Sequence, residues 1–122
     1  MNNIKIYFNR NSVCAGDDVD SHIKEYEVPE TLSIREIISF VIRENYLPKI
    51  SGGKATWSVF SNVPLAVIAQ QWVAPRFFWP AAENKRNELY SENGVLKFYI
   101  NYHGQLDPDL VVKVLEGIQV HA

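Results

Sequence analysis

The strongest local signal in the chain is the segment LSIREIISFVI at positions 32–42. Ser33 and Glu36 have the spacing of a capping box, in which the side chain of each residue accepts a backbone N–H of the other at the start of a helix. Apolar side chains then recur at helical spacing and form a core-facing stripe, at Ile34, Ile37, Ile38 and Val41. Because Pro48 cannot continue a helix, the segment predicts one amphipathic helix from about residue 34 to about residue 45.

Strand signals lie on both sides of this helix. Residues 3–10 and residues 23–28 alternate apolar and polar side chains, which is typical of half-buried strands. The polar residues 11–21 between them predict a hairpin with a long connection. Beyond the helix, three further runs have the composition of strands, namely 55–61, 65–72 (after a break at Asn62-Val63-Pro64) and 95–102. The run 65–72 is almost continuously apolar, which favours a central strand buried on both faces.

A second helix is predicted near the C-terminal end. Asp107 is a suitable N-cap, Pro108 suits the first helical position and Asp109 adds an acid to the first turn. Its expected buried stripe consists of Leu110, Val111, Val114 and Leu115. Gly117 is placed to end the helix, so we expect it to span about residues 108–116.

These elements predict a single α+β domain over residues 1–122, with the order ββαβββα and a mixed or antiparallel sheet of about five strands. A β-hairpin followed by a capped helix and returning strands resembles the β-grasp, or ubiquitin-like, arrangement over Ile4–Trp72. Carrier members of that family end in a Gly-Gly tail that is activated at its carboxylate. This chain ends Gln119-Val120-His121-Ala122, so the resemblance implies neither conjugation nor sulfur transfer.

Composition narrows the functional classes. The chain has 122 residues, 47% of them apolar and 21% charged, which is ordinary for one globular domain. A net charge of −2 predicts no general affinity for nucleic acid. No run approaches the ~18 apolar residues of a membrane span, and the N-terminus lacks the apolar run of a secretory signal. With one cysteine in addition, we expect a cytoplasmic protein with no membrane partner.

Acidic residues are concentrated in one segment. Six of the fourteen acids lie within fourteen residues, at Asp17, Asp18, Asp20, Glu25, Glu27 and Glu30. If two of them acted as a general acid and a general base, they would need burial to separate their pKa values. The spacing of the acids also does not fit a twelve-residue calcium-binding loop. The segment therefore predicts either a solvated face or a docking surface for a basic partner, carried by the first five of these residues.

A second cluster is aromatic. Four aromatic residues and one arginine lie within eight positions: Trp72, Arg76, Phe77, Phe78 and Trp79. Pro75 and Pro80 flank residues 76–79 and keep that segment out of a sheet interior. Trp, Tyr and Arg dominate binding hot spots, so Trp72, Arg76, Phe77 and Trp79 are candidate contacts for a partner. The alternative is that these rings fold back as a lid over one end of the core.

No sequence motif indicates a cofactor or a metal. His22, His103 and His121 lack a second ligand at metal-binding spacing, and Gly52-Gly53 lacks the rest of a phosphate-binding loop. Cys14 predicts either a small filler near the end of the first strand or, if a base lies close in space, a reactive thiolate. An active site around Cys14 or a histidine assembled in space stays open as one hypothesis.

Three functions follow from these observations. Small size, an acidic segment and an aromatic loop without catalytic motifs resemble, in general type, the small immunity proteins of bacterial toxin systems. That resemblance implies a non-catalytic inhibitor, monomeric or a small homo-oligomer, that neutralises a basic protein such as a toxin nuclease. The second hypothesis is a β-grasp-like adaptor or assembly subunit, and the third is the small enzyme.

Overall fold

One mixed sheet with helices packed on both of its faces forms the fold. The computed structural model describes residues 2–118 in full and the backbone of residues 119 and 120. His121, one of the histidines considered above, lies outside the described residues. Seven strands make up the sheet: β1 (Asn3–Arg10), β2 (Lys24–Pro29), β3 (Thr56–Ser61), β4 (Val63–Ala69), β5 (Arg76–Phe77), β6 (Ser91–Glu92) and β7 (Val95–Tyr102). The helices are α1 (Ile34–Arg43), α2 (Trp79–Ala82) and α3 (Pro108–Val120), with short 3-10 helices at Ala15–Val19 and Arg86–Glu88.

The strands lie in the order β2-β1-β7-β3-β4-β5, and β6 pairs with β7 beside this path. Only the contact between β1 and β7 is parallel; every other described pair is antiparallel. The mixed α+β class and the order ββαβββα of the longer elements are thereby confirmed. β5 and β6 raise the strand number above the predicted five, because a strand of two residues has no periodicity to detect.

Helix α1 covers one face of the sheet. Its four predicted stripe residues are all buried, and they pack on inward side chains of the strands that include Ile6, Phe8, Trp57 and Phe98. The predicted capping box is present: Ser33 Oγ accepts from the Glu36 amide at 3.2 Å, and the Glu36 carboxylate accepts from the Ser33 amide at 2.9 Å. The helix ends at Arg43, earlier than the predicted residue 45, because Asn45 adopts a left-handed backbone with φ +58°.

Replacing Ser33 with alanine removes the hydroxyl that accepts from the Glu36 amide. We expect the free energy of unfolding to fall by about 1 kcal/mol, the usual effect of losing an N-cap side chain. Ser39→Ala in the same helix is the matched control and should cause no loss, since alanine is the better helix former. Urea denaturation of both variants makes the comparison, and equal stabilities would contradict the role given to the cap.

The hairpin between β3 and β4 is tighter than predicted. The expected break at residues 62–64 is reduced to Asn62 alone, whose φ of +69° turns the chain, and β4 already begins at Val63. A register shift between Val59 and Phe60 then places Pro64 opposite Phe60. β4 ends at Ala69, short of the predicted residue 72, and its residues from Pro64 onwards are buried, as predicted for a central strand.

Helix α3 packs on the other face of the sheet, over β3 and β4. Its buried residues among those described are Pro108, Val111, Val112 and Leu115, and the last three form a cluster with Val67 and Phe78. The prediction was wrong for Leu110 and Val114, which are 50% and 58% exposed. The helix also runs through Gly117 to Val120, because this glycine does not adopt the left-handed backbone that ends a helix.

Candidate partner-binding surfaces

Four of the five acids predicted to bind a partner form the acidic edge of the molecule: Asp18, Asp20, Glu25 and Glu27. The two glutamates lie on β2, the outermost strand of the sheet, and the two aspartates lie in the connection that leads into it. All four are exposed, and no lysine, arginine or histidine among the described residues forms an ion pair with them. Their charge is therefore directed to solvent.

Asp17 differs from its neighbours. Its carboxylate accepts two hydrogen bonds from the Arg10 guanidinium, at 2.6 and 3.1 Å, and a third from the Val13 amide at 2.9 Å. The hydrogen bond from Arg10 is the main reason why the pKa of Asp17 is held well below its ordinary value. Asp17 thus fastens the connection between β1 and β2 to the sheet, and its charge is neutralised inside the molecule.

A serine and a histidine meet beside this ion pair. Ser12 Oγ lies 2.9 Å from Nε2 of His22, and Asp17 Oδ2 approaches the same nitrogen at 3.5 Å. In a Ser-His-Asp triad the carboxylate holds Nδ1 while the serine uses Nε2. Here the serine hydroxyl and the Asp17 carboxylate both approach Nε2, so the three side chains do not have the geometry of a catalytic triad. His22 also lies against Tyr46, whose hydroxyl donates to the His22 carbonyl and whose pKa is raised by burial.

A second pair joins Ser58 and His103. Ser58 Oγ and His103 Nε2 are 2.7 Å apart, and burial lowers the pKa of His103 below its ordinary value, which keeps the ring neutral at pH 7. A neutral imidazole beside a hydroxyl is the start of a nucleophilic site, but Ser58 is fully buried. No substrate can reach that hydroxyl in this conformation. Sequence reasoning missed this pair because its members are 45 residues apart.

Cys14 is exposed at the start of the 3-10 helix at 15–19. The prediction that it is a small residue filling space near the end of the first strand is therefore wrong. Nowhere in the described part of the chain do three or more His, Cys, Asp or Glu side chains come together as a metal site. Within residues 2–120, no helix has the length and apolar character needed to cross a bilayer. The enzyme hypothesis stays a prediction with no assembled constellation to support it.

The aromatic edge consists of Trp72, Arg76, Phe77 and Trp79, around the outermost strand β5. Trp72 is half-buried and packs against the cluster beneath α3. Phe77 is half-buried with the Arg35 guanidinium 5.0 Å from its ring centre, and Arg76 pairs with Glu116 at 3.2 Å. Only Trp79 offers a large accessible ring, with 49% of its surface exposed. The sequence left two alternatives for these rings, a lid over the core and an exposed contact for a partner. Trp72 and Phe77 are partly buried against the molecule, as in a lid, whereas Trp79 is accessible to a partner.

The two edges lie on opposite sides of the sheet. β2 and β5 are separated by five strand spacings, or roughly 24 Å at about 4.8 Å each. The segment around the second 3-10 helix follows the aromatic edge in the chain and reaches the end of β2, since Arg86 donates a hydrogen bond to the carbonyl of Glu30 at 2.6 Å. A partner that used both edges would have to reach across one end of the molecule.

A third surface was not predicted. On the α3 side of the sheet, side chains of strands β2, β1 and β7 are exposed or partly buried and form the open face: Glu25, Glu27, Lys5, Tyr7, Lys97 and Tyr99. Beside it lies the apolar flank of α3, made of Leu110, Val114 and Ile118, each at least half exposed. The sequence does show that these three apolar residues recur every four positions and so share one flank of the helix. The helical pattern alone did not indicate which flank the sheet would bury.

No protein-family model matches this chain, and no curated protein and no solved structure is significantly similar to it.

Proposed function

We propose that this chain is a non-catalytic binding protein of the inhibitor or immunity type, which neutralises a basic protein partner such as a toxin nuclease. The observation that supports this most directly is the acidic edge. Four exposed carboxylates stand on and beside an outermost strand, and none of them forms an ion pair among the described residues, although Lys5 lies across from Glu27 in the strand register. Such an arrangement contributes little to folding, whereas it attracts a positively charged surface.

Spacing along the strand strengthens this attraction. Glu25 and Glu27 point to the same side of β2 and are separated by about 7 Å along it, within one Debye length of roughly 8 Å at physiological salt. Their fields therefore add at the surface of an approaching partner. A cleft built to hold phosphates is basic, and complementary charge accelerates association with it.

The aromatic edge supplies a second contact in this proposal. Trp79 is its accessible ring, and Lys85 lies over that ring with Nζ 5.7 Å from the centre. Tryptophan is one of the residues that most often carry binding energy at protein interfaces. Because the two edges are far apart, the partner reaches Trp79 only if it extends around the end of the sheet near Glu30.

The experiment that tests the proposal starts with tagged protein expressed in its source cells and purified gently. The wild-type chain is compared with Asp18→Lys/Asp20→Lys, and co-purifying proteins are identified by mass spectrometry. We expect one stoichiometric, basic protein with the wild type and a much reduced yield with the variant. Asp17 is left unchanged because its loss would break the ion pair with Arg10. Recovery of the wild-type chain alone, under conditions where its genetic neighbours are expressed, would contradict the proposal.

With that partner in hand, Asp18→Lys/Asp20→Lys should lower the association rate constant by about 10-fold at low ionic strength, because electrostatic steering is lost. The matched control is Glu83→Lys/Glu88→Lys, which makes the same change in net charge at two exposed acids that lie away from the acidic edge, on the segment that follows Trp79. Stopped-flow measurements over a salt series decide the point. The difference from wild type should vanish near 1 M salt, where the Debye length is about 3 Å. Equal slowing by both variants would show that only net charge matters.

A second candidate function, an adaptor or assembly subunit, is favoured by the apolar flank of α3 beside the open face. Stable assemblies bury such surfaces between subunits. The two candidates differ in solution mass at about 1 µM protein. A permanent oligomer at that concentration supports the assembly subunit, and a monomer supports the inhibitor.

A further inference from the structure

A cavity opens beside the ends of α1 and β4. Its walls are the connection that follows α1, at residues 45–49, and the turn that follows β4, at residues 70–75, together with side chains of α1, β3 and β4. The volume of the cavity is about 240 Å³. Apolar cavities of about 150 Å³ hold benzene, and pockets for drug-sized ligands begin at about 300 Å³. The space therefore suits one aromatic ring with a short side arm.

The lining of this cavity is largely apolar and aromatic. Five of its side chains are large and apolar: Ile42, Leu47, Trp57, Ile68 and Trp72. Trp57 is almost fully buried, and its ring packs on that of Tyr102 with centres 4.6 Å apart, so its position is fixed. Pairs of aromatic rings attract each other beyond what the buried area alone contributes. Two tryptophans in the wall therefore favour an aromatic ligand over an aliphatic chain of the same size.

Hydrogen bonds within the chain hold the walls of the cavity together. Gln70 Oε1 accepts from the Ile50 amide at 2.7 Å, and Gln70 Nε2 donates to the Ile50 carbonyl at 3.1 Å. These two bonds join the turn after β4 to the connection after α1. The turn itself is closed by the Trp72 amide, which donates to the Ala69 carbonyl at 3.0 Å. A cavity whose walls are already ordered costs a ligand less to occupy than one that must first be assembled.

Charge at the cavity decides which group the ligand carries on its arm. Among the described residues that line it, Lys49 alone is charged; this lysine is exposed and forms no ion pair in the described part of the chain. Glu44, the nearest acid in the sequence, lines a separate cleft beside His22. The last carbonyls of α1 already accept hydrogen bonds from the amides of Glu44 and Asn45. A carboxylate on the ligand would therefore meet an ammonium group and no acid in the lining.

We propose that this cavity binds a small aromatic carboxylate, with the ring of the ligand against Trp57 and Trp72 and its carboxylate at Lys49. The inference goes beyond the inhibitor function and does not depend on it, because no residue of the acidic edge lines the cavity. For a ligand of about ten non-hydrogen atoms we expect a dissociation constant on the order of 0.1–1 mM.

Titration of the isotope-labelled full chain with sodium phenylacetate, followed by NMR, tests the proposal. The chain has three tryptophans, and each gives its own indole N–H signal. We expect the signals of Trp57 and Trp72 to shift along one saturating curve up to about 10 mM ligand, ten times the weakest affinity expected. The signal of Trp79, which does not line the cavity, should stay in place. Unshifted signals of Trp57 and Trp72 at the end of the titration, or equal shifts of all three, would overturn the proposal.

Two matched comparisons test the role given to charge. Phenylacetamide keeps the ring and loses the charge, so it should bind about 5-fold more weakly than phenylacetate, the upper range for an exposed ion pair; the cation phenethylamine should bind more weakly still. Lys49→Gln should weaken phenylacetate by the same factor and leave phenylacetamide unchanged. Lys54→Gln is the control at an exposed lysine outside the cavity and should behave as wild type. Tighter binding of the amine than of the carboxylate, or equal effects of the two lysine variants on phenylacetate, would reject the assignment.

Discussion

Replacing Phe8 with alanine is expected to lower the free energy of unfolding by about 3–5 kcal/mol, a large part of the 5–15 kcal/mol typical of a domain. Phe8 is fully buried beneath α1. Its ring is stacked on that of Phe98, with centres 4.7 Å apart and planes 6° from parallel, and meets the edge of Tyr46 at 6.1 Å. The pair sits where β1 and β7 join the two halves of the sheet, so the cavity opens in the middle of the core.

Urea denaturation monitored by circular dichroism measures this loss. Tyr7→Ala is the control, since it removes a neighbouring aromatic side chain from the same strand on the open face. We expect it to lower stability by only about 1 kcal/mol, the range of cross-strand pair energies. Similar losses for Phe8→Ala and Tyr7→Ala would mean that the α1 side of the sheet does not hold the main core.

Replacing Asp17 with asparagine is expected to lower the free energy of unfolding by about 2 kcal/mol at pH 7, because hydrogen bonds to a charged group are lost and the Arg10 guanidinium loses its counter-ion. The pKa of Asp17 in the folded state lies below its ordinary value of 3.8. The stabilisation it provides is therefore fully present above that value and is lost as the pH falls through it toward the lower folded pKa.

The measurement is stability against pH for wild type and Asp17→Asn. The wild type should lose stability between about pH 5 and pH 2 by more than the variant does, and the two curves should approach each other at the acid end. Asp18→Asn is the control: it removes a neighbouring acid that is exposed and forms no described ion pair, so its effect should stay within about 0.5 kcal/mol. Parallel curves for wild type and Asp17→Asn would contradict the assignment.

Asp17 also shows how far sequence reasoning reaches into the candidate site. The five acids look alike as letters, and their clustering correctly indicated an acidic surface region. Which of them has its charge neutralised within the fold depends on the position of Arg10, seven residues before Asp17. It also depends on how the connection between β1 and β2 packs against the end of β1. A charge-reversal experiment designed from the sequence alone would have included Asp17 and would have confused a loss of folding with a loss of binding.

The aromatic edge gives a similar lesson. The prolines around residues 76–79 predicted exclusion from the sheet interior, and β5 is indeed an outermost strand. The distance between this edge and the acidic edge was beyond prediction, because it follows from the insertion of β1, β7, β3 and β4 between β2 and β5. Strand order is set by pairings such as that of Lys5 with Val95, whose members are distant in the chain and carry no local signature.

The sequence by itself determined the longer secondary structure elements and the fold class of this protein. The capping box at Ser33, the helical stripe of α1 and the alternation in β1 and β7 are properties of neighbouring residues, and neighbours suffice to select a local backbone. Tertiary structure alone decided which flank of α3 is buried, which half of the sheet stays open and which acids keep their charge. Leu110 and Val114 have the spacing of core residues, but the sheet buries Val111, Val112 and Leu115 instead. The physical reason is that a helix with apolar residues on more than one side can bury only the side that meets the sheet, and that choice is made by contacts between distant parts of the chain.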